Sequence, residues 1–185
     1  LVTACNEFEE LTRLMLMLKT NMSDSDCIAI LLDEENYTTE VQELCEKFVL
    51  PDNSIRIGYA PLNNDFASFK NIGYNLLEDC DWIFQIDADE IPNEYLLEAL
   101  PFILETNSDI EAYWVPRVNT VAGITDEHIA KWGWKLNEQG WVNFPDWQMR
   151  VYQNKEEIYW MKPVHEQLKG YTKFANLPAE EKFAL

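Results

Sequence analysis

A short apolar run that stops at a cluster of acids constrains this chain more than any other feature. Residues 82–86, W-I-F-Q-I, are rich in aromatic and β-branched side chains, and Asp87, Asp89 and Glu90 follow them almost at once. Such a run is typical of a buried strand in a parallel sheet. The acids then lie at the carboxyl end of that strand, where open α/β sheets bind their ligands.

The spacing of Asp87 and Asp89 allows two interpretations. One residue separates them, so on an extended chain both side chains point to the same side. Two close carboxylates repel each other unless a cation lies between them, and hard divalent cations prefer oxygen ligands. An acidic turn that leads into a helix, with Asn93 as the N-cap beside Pro92, explains the same residues without a metal.

Strand and helix patterns alternate through the first half of the chain. This alternation predicts an α/β fold with a doubly wound, mostly parallel sheet and right-handed crossovers. No G-x-G-x-x-G or G-x-x-x-x-G-K-[ST] sequence opens a helix, so neither a dinucleotide-binding Rossmann site nor a P-loop is supported. The strands are predicted at 1–4, 27–32, 55–59 and 82–86, and the helices at 8–19, 39–48, 66–77 and 95–104.

The pattern changes after residue 110. Strands are predicted at 112–118, 145–152 and 158–160, the first of them antiparallel, and a polar tail is predicted from Lys169 onward. Residues 119–143 have no clear periodicity and contain three tryptophans. They are typical of a mobile lid or wall over the same site, although an ordinary aromatic core explains them equally well. We therefore expect a small antiparallel part at the C-terminal end of a single domain.

The charge and cysteine content exclude several classes of partner. The chain has 33 acidic and 14 basic side chains, a formal net charge of -19. Such a surface repels phosphate backbones and anionic membranes, so we expect no nucleic-acid partner. No apolar stretch is long enough for an integral membrane segment. Cys5, Cys27, Cys45 and Cys80 form no C-x-x-C pair, which favours free thiols in a reducing, cytoplasmic compartment over a zinc site.

Short motifs stand in a fixed order at the predicted strand ends: V-T-A-C-N-E at 2–7, Asp33, Lys70-Asn71, D-A-D at 87–89, D-W-Q-M-R-V-Y-Q-N at 146–154 and V-H-E at 164–166. This ordered set resembles the family 2 glycosyltransferases, which have the GT-A fold, and D-A-D is similar to their DxD motif. The resemblance covers roughly residues 1–166. It implies one GT-A-like domain over residues 1–185, with a nucleotide-sugar-binding half at 1–110 and an acceptor or lid half at 111–185.

The resemblance also implies an activity. A metal-dependent glycosyltransferase would move a sugar from a nucleoside-diphosphate donor, by expectation a UDP-sugar, to a saccharide or other hydroxyl acceptor with inversion. Mg²⁺ or Mn²⁺ held by Asp89 would stabilise the charge that develops on the leaving diphosphate. Asp87 would bind the ribose or a metal-bound water. His165 would be a third ligand that favours Mn²⁺, unless it is a hydrogen-bonded structural histidine.

The remaining site residues are expected on the donor and the acceptor. Lys70 and Arg150 are candidate phosphate or sugar contacts, although a salt bridge to one of the many acids explains each equally well. An inverting transfer needs a general base for the acceptor hydroxyl, with Asp146 as the first candidate and Glu90 as the second. The expected donor-binding residues are Thr3, Asn6, Glu7, Asp33, Lys70, Asp87, Ala88 and Arg150.

Two other functions remain open from the sequence. A nucleotidyltransferase on a similar sheet also uses paired acids and Mg²⁺, but that class has a glycine-rich basic loop after the first strand. Here residues 5–8, C-N-E-F, are acidic and contain no glycine. A non-catalytic carbohydrate-binding domain needs only exposed aromatic side chains. A processive polymerase with membrane helices is not expected.

Overall fold

The computed structural model describes all 185 residues of the chain. Ten strands and five α-helices follow one another in the order expected for an α/β protein. The strands are β1 (Val2–Ala4), β2 (Ile28–Asp33), β3 (Ile55–Ala60), β4 (Trp82–Phe84), β5 (Ile86–Asp87), β6 (Ala112–Val115), β7 (Gln148–Gln153), β8 (Tyr159–Met161), β9 (Gln167–Lys169) and β10 (Phe174–Asn176). The helices are α1 (Phe8–Asn21), α2 (Thr39–Phe48), α3 (Phe66–Ile72), α4 (Glu94–Thr106) and α5 (Asp126–Trp132), with 3₁₀ turns at Gly73–Leu76 and Glu181–Phe183.

The first sheet is fully parallel and carries helices on both faces. Its strand order is β3-β2-β1-β5, and every residue of β2 is buried. Alternate residues of β2 serve opposite faces: Ile30 packs in the cluster formed with α1 and α2, whereas Leu31 packs in the cluster that includes α3. The predicted doubly wound arrangement is confirmed, because a strand buried on both faces needs a layer of helices on each side.

The helices begin where the sequence provides caps. The side chain of Thr38 accepts a hydrogen bond from the amide of Val41, and that of Asn93 accepts one from the amide of Tyr95. Each bond satisfies one of the free amides at a helix N-terminus. Asn93 is therefore confirmed as the N-cap of the helix that follows the acidic cluster.

The prediction of one continuous strand at 82–86 is wrong. β4 pairs antiparallel with β7 in a second sheet of order β10-β6-β7-β4, whereas β5 pairs parallel with β1 in the first sheet. Gln85 lies between them, fully buried, and its amide donates to the carbonyl of Arg150. The run is thus the junction of two sheets, and Asp87 ends its last strand.

The C-terminal region is more ordered than the sequence predicts. The tail contains β10, which pairs parallel with β6, and Phe183 and Leu185 are buried in a core cluster with α4. The tail expected to be polar is mostly exposed, but it also contains a strand and a buried end that cover an apolar sheet face. Residues 119–143 also contain the regular helix α5, which buries none of its residues. No helix of the chain is long and apolar enough to cross a membrane.

Candidate functional site

A cavity of about 770 Å³ lies at the carboxyl ends of β1, β2 and β5. Its opposite wall comes from β7 and from the residues around β9. Ligand sites of α/β sheets lie at this edge, where strand connections diverge. The predicted site residues that line the cavity are Thr3, Glu7, Asp33, Lys70, Asp87, Ala88, Asp89, Arg150 and His165.

Asp87 sits at the centre of the cavity floor. Its Oδ1 accepts a hydrogen bond from Thr3 Oγ1 at 2.9 Å and lies 3.4 Å from Lys70 Nζ. Its Oδ2 accepts from Arg150 Nη2 at 2.9 Å. Burial raises the pKa of Asp87, but Arg150, Lys70 and Thr3 outweigh it and hold that pKa below its ordinary value. Asp87 is therefore a carboxylate anion, fixed by two cations and a hydroxyl.

Lys70 is almost completely buried in the cavity wall. Its Nζ lies 2.6 Å from Glu166 Oε1 and 5.0 Å from the centre of the Trp160 ring. The side chain is 2% exposed, so its charge depends on these partners. The salt-bridge interpretation of Lys70 is confirmed. Its contact with a donor stays a prediction.

Arg150 and Arg117 are joined through one buried carboxylate. Glu90 Oε1 accepts from Arg150 Nη2 at 2.6 Å and from Arg117 Nη1 at 3.2 Å. Arg117 also donates through Nε and Nη2 to Asp146 Oδ2, at 3.0 Å and 2.7 Å. The Nε of Arg150 is buried and has no partner within the chain. The salt-bridge interpretation of Arg150 is thus confirmed, and one of its donors remains free.

These contacts form a continuous charge ladder across the site. Four carboxylates alternate with three cations, so the ladder carries one net negative charge if every group is ionised. Every cation in it already has two acidic partners. An added diphosphate must bring positive charge with it or displace a carboxylate. The ladder consists of Asp146, Arg117, Glu90, Arg150, Asp87, Lys70 and Glu166.

Asp89 and His165 differ from Asp87, the other predicted metal ligand. Both side chains are exposed, both line the cavity, and neither makes a hydrogen bond within the chain. Both oxygens of Asp87 are engaged by the ladder, and no group of three or more His, Cys, Asp or Glu side chains is arranged to hold a metal ion. The residues fit a divalent cation only if further ligands come from outside the protein.

The two candidate bases lie behind the cavity wall. Asp146 Oδ2 accepts from Asn119 at 2.7 Å as well as from Arg117. Burial raises the pKa of Asp146, but the bonds from Asn119 and Arg117 outweigh it and hold that pKa below its ordinary value. Glu90 is 8% exposed and accepts from both arginines of the ladder. Neither carboxylate lines the cavity, and the choice of base stays a prediction.

Backbone amides bind two of the carboxylates at the β1 and β2 edge of the cavity. Asp33 is buried, and its Oδ1 accepts from the amides of Glu35 and Leu62 at 3.3 and 3.2 Å. Glu7 Oε2 accepts from the amides of Cys5 and Asn6 at 2.8 and 3.0 Å, which fixes the turn after β1. Asn6 itself is exposed and does not line the cavity, so its role in donor binding stays a prediction.

Sequence reasoning missed Arg117. It lines the cavity and links the two candidate bases, but it was not among the predicted site residues. Its position could have indicated a role in the site, because Arg117 lies two residues after the end of β6. The predicted strand at 112–118 places Arg117 inside a strand, whereas β6 ends at Val115.

The comparisons with known proteins identify the fold. No family model matches the sequence, and no curated protein matches it either. Crystal structures of the S. aureus glycosyltransferase TarS are similar to it, with TM-scores of 0.63 for residues 1–349 and 0.65 for a longer chain, both at 11% identity. They cover 99% of this chain, which spans 58% and 35% of theirs.

A third structure, TarS 1-349 in complex with UDP, has a TM-score of 0.60 and 12% identity, with 96% of this chain and 59% of that chain covered. This chain therefore spans less than two thirds of each of these structures. At such low identity the likeness concerns the fold alone. Together with the sheet order, it confirms the expected GT-A-like α/β fold.

Proposed function

We propose that this chain is a glycosyltransferase domain that takes a sugar from a UDP-sugar and transfers it to a hydroxyl group of an acceptor. The observation that carries the proposal is the position of the cavity. It lies at the carboxyl ends of three parallel strands, with D-A-D at its floor, in a fold shared with a structure that holds UDP. Membership of glycosyltransferase family 2 and the DxD role of residues 87–89 are part of the proposal.

The charge ladder supports a metal-dependent donor site. A diphosphate adds negative charge to a cavity whose cations are already paired, inside a chain of net charge -19. A divalent cation would supply the missing positive charge and, as a Lewis acid, would stabilise the leaving diphosphate. Asp89 and His165 are the free side chains that would hold it, and the diphosphate oxygens would complete its ligands. Manganese or magnesium fits this mixed set, with the imidazole favouring manganese.

The residues of the charge ladder and their neighbours would have different roles in binding and catalysis. Asp87 holds Lys70 and Arg150 beside the cavity, and the buried, unpaired Nε of Arg150 would reach an oxygen of the donor only after a movement of the side chain. Asp33 and Thr3 lie on the side where the nucleoside would bind. Inversion requires that a base remove the acceptor proton while the sugar leaves the diphosphate. Asp146 is the proposed base, and its contact with Arg117 must loosen when the acceptor binds.

Calorimetry with UDP tests the donor site directly. We expect UDP to bind in Mn²⁺ and to bind at least about tenfold more weakly in EDTA, because the uncompensated site repels it. Asp89→Asn should abolish the difference between the two conditions. Asp81→Asn is the matched control, because Asp81 is an exposed acid before the opposite end of the same apolar run.

Turnover is measured on the same proteins with a panel of UDP-sugars, by release of UDP. Wild-type protein and Asp81→Asn should hydrolyse at least one UDP-sugar slowly in Mn²⁺, and Asp89→Asn should not. Equal UDP affinity in Mn²⁺ and EDTA would remove the metal from the mechanism. An absence of UDP binding in both conditions would overturn the UDP-sugar donor.

A further inference from the structure

Three aromatic side chains form a patch in the segment that follows β6, in which Trp132 is exposed and His128 and Trp134 are half-buried. The rings of His128 and Trp132 are stacked with their centres 5.1 Å apart, and Trp134 lies 4.7 Å from Trp132. Trp132 is 50% exposed. These three side chains are called the aromatic patch below.

The aromatic patch is not part of the hydrophobic core. No residue of α5 is buried, and none of the three rings belongs to a core cluster. The local backbone nevertheless builds the patch: Thr125 caps the start of α5, and Gly133 ends it in the left-handed region at φ 64°. That turn brings Trp134 back against Trp132. Large aromatic surface left in water is typical of a binding site rather than of a structural element.

Hydrogen bonds connect the aromatic patch to the rim of the cavity. The amide of Lys135, next to Trp134, donates to Asn143 Oδ1 at 2.9 Å, and the amide of Asn143 donates back to the carbonyl of Lys135 at 2.7 Å. The amide of Asp146 donates to the carbonyl of Asn143 at 3.1 Å. Asp146 in turn binds Arg117, which lines the cavity. The patch is therefore linked by hydrogen bonds to Arg117, one of the residues that line the cavity.

We propose that the aromatic patch binds a neutral saccharide, and that this saccharide is part of the acceptor. The inference rests on the proposed transferase function, since it assigns the acceptor class for that site. Aromatic rings bind the apolar faces of sugar rings through contact area, at little cost in side-chain entropy. Asp126 and Glu127 on α5 outnumber Lys131, whose Nζ lies 5.4 Å from the centre of the Trp132 ring. Together with the net charge of -19, they disfavour a polyanionic acceptor or a nucleic acid, both of which need an excess of cations.

Binding to an array of immobilised neutral and anionic glycans tests the proposal. Wild-type protein should bind at least one neutral glycan, and Trp132→Ala should weaken that binding at least about tenfold, as removal of a central aromatic contact does. Trp132→Phe keeps a ring and should recover part of the affinity. Phe102→Ala is the matched control, because Phe102 is 68% exposed on α4, outside the patch.

Two further measurements make each outcome decisive. The melting temperature of Trp132→Ala should match that of wild type, because α5 buries no residue. UDP affinity in Mn²⁺ should be unchanged in Trp132→Ala, which separates the acceptor proposal from the donor proposal. Absence of neutral-glycan binding by wild-type protein, equal binding by Trp132→Ala, or binding of anionic glycans alone would overturn the aromatic patch as a saccharide site. Glycan binding without UDP binding would instead overturn the transferase and leave a carbohydrate-binding domain.

Discussion

The ammonium of Lys70 lies 2.6 Å from a carboxylate oxygen of Glu166, although 96 positions separate the two residues. The pair joins α3 to the residues just before β9, and the side chain of Lys70 is 2% exposed. Burial of an ammonium group is costly unless acidic partners pair with it. In this arrangement Lys70 is paired with Glu166 and Asp87, and we expect it to contact a phosphate only when one of these ion pairs breaks.

Removal of the Glu166 charge should therefore strengthen metal-free donor binding. We expect Glu166→Gln to bind UDP in EDTA about tenfold more tightly than wild type, because one negative charge near the diphosphate disappears and Lys70 becomes available. Calorimetry in EDTA measures the change. Glu157→Gln removes the same charge from an exposed position outside the charge ladder, and it should have no effect. A loss of UDP affinity in Glu166→Gln would mean that Glu166 itself contacts the donor.

Asp87 and Asp89 should differ sharply in their effects on stability. Asp87→Ala removes a hydrogen bond from Arg150 and an ion pair with Lys70, both of them buried cations, so we expect it to lower the free energy of unfolding by about 1.5–3 kcal/mol. Asp89→Ala should change it by no more than about 0.5 kcal/mol, because Asp89 is exposed and makes no hydrogen bond. Urea denaturation measures both, and turnover should still be lost in Asp89→Ala. A large loss of stability in that variant would favour the acidic-turn interpretation instead.

The sequence predicts the parallel sheet and one edge of the site, but not the charges that surround it. The first five residues of β2 are all apolar, so a fully buried strand ending at Asp33 follows from the pattern alone. The change of sheet at Gln85 depends on pairing with β7, more than 60 positions away, and leaves no local signal. The partners of Lys70 had to be chosen among 33 acids, which only the fold can do.

Glu111 provides a pH-dependent contact for the C-terminal strand. The amide and hydroxyl of Thr172 donate to its Oε2 at 2.6 and 2.7 Å, and with Lys155 they lower the pKa of Glu111 from 4.5 to about 2. A depressed pKa means that the stabilisation is complete above about pH 4.5 and is lost as the pH falls towards 2. The side chain of Glu111 is 20% exposed, so solvent screens the contact and the gain in stability is modest.

Hydrogen exchange follows the loss of this contact. The amides around β10 should exchange faster at pH 3 than at pH 6, after correction for the intrinsic rates. Glu111→Gln should show the faster exchange at both values. Asp109→Asn is the control, since Asp109 is exposed and pairs only with the exposed Lys173. Identical corrected exchange of wild type and Glu111→Gln at pH 6 would show that the carboxylate does not hold the strand.

The last prediction concerns the general base. If Asp146 accepts the proton, Asp146→Asn should reduce turnover by about 10²–10⁴-fold, the usual contribution of base catalysis, while UDP affinity in Mn²⁺ stays nearly constant. Arg117 helps to lower the pKa of Asp146, so Arg117→Met should raise that pKa. A base must be ionised to act, and the acid limb of the kcat/KM profile should therefore move to higher pH in Arg117→Met.

Glu90 is the second candidate base, and its replacement has a different expected outcome. It binds both arginines of the charge ladder, so Glu90→Gln should lower stability as well as turnover even if it is no base. Only a loss of turnover in Glu90→Gln, with Asp146→Asn active within about tenfold, would transfer the role of base to Glu90. The pH dependence of kcat/KM then distinguishes the two candidates. If Asp146 is the base, Arg117→Met shifts the acid limb of the profile in the wild-type background but causes no shift in the Asp146→Asn background. An acid limb that is the same in wild type, Arg117→Met and Asp146→Asn would place the base elsewhere in the site.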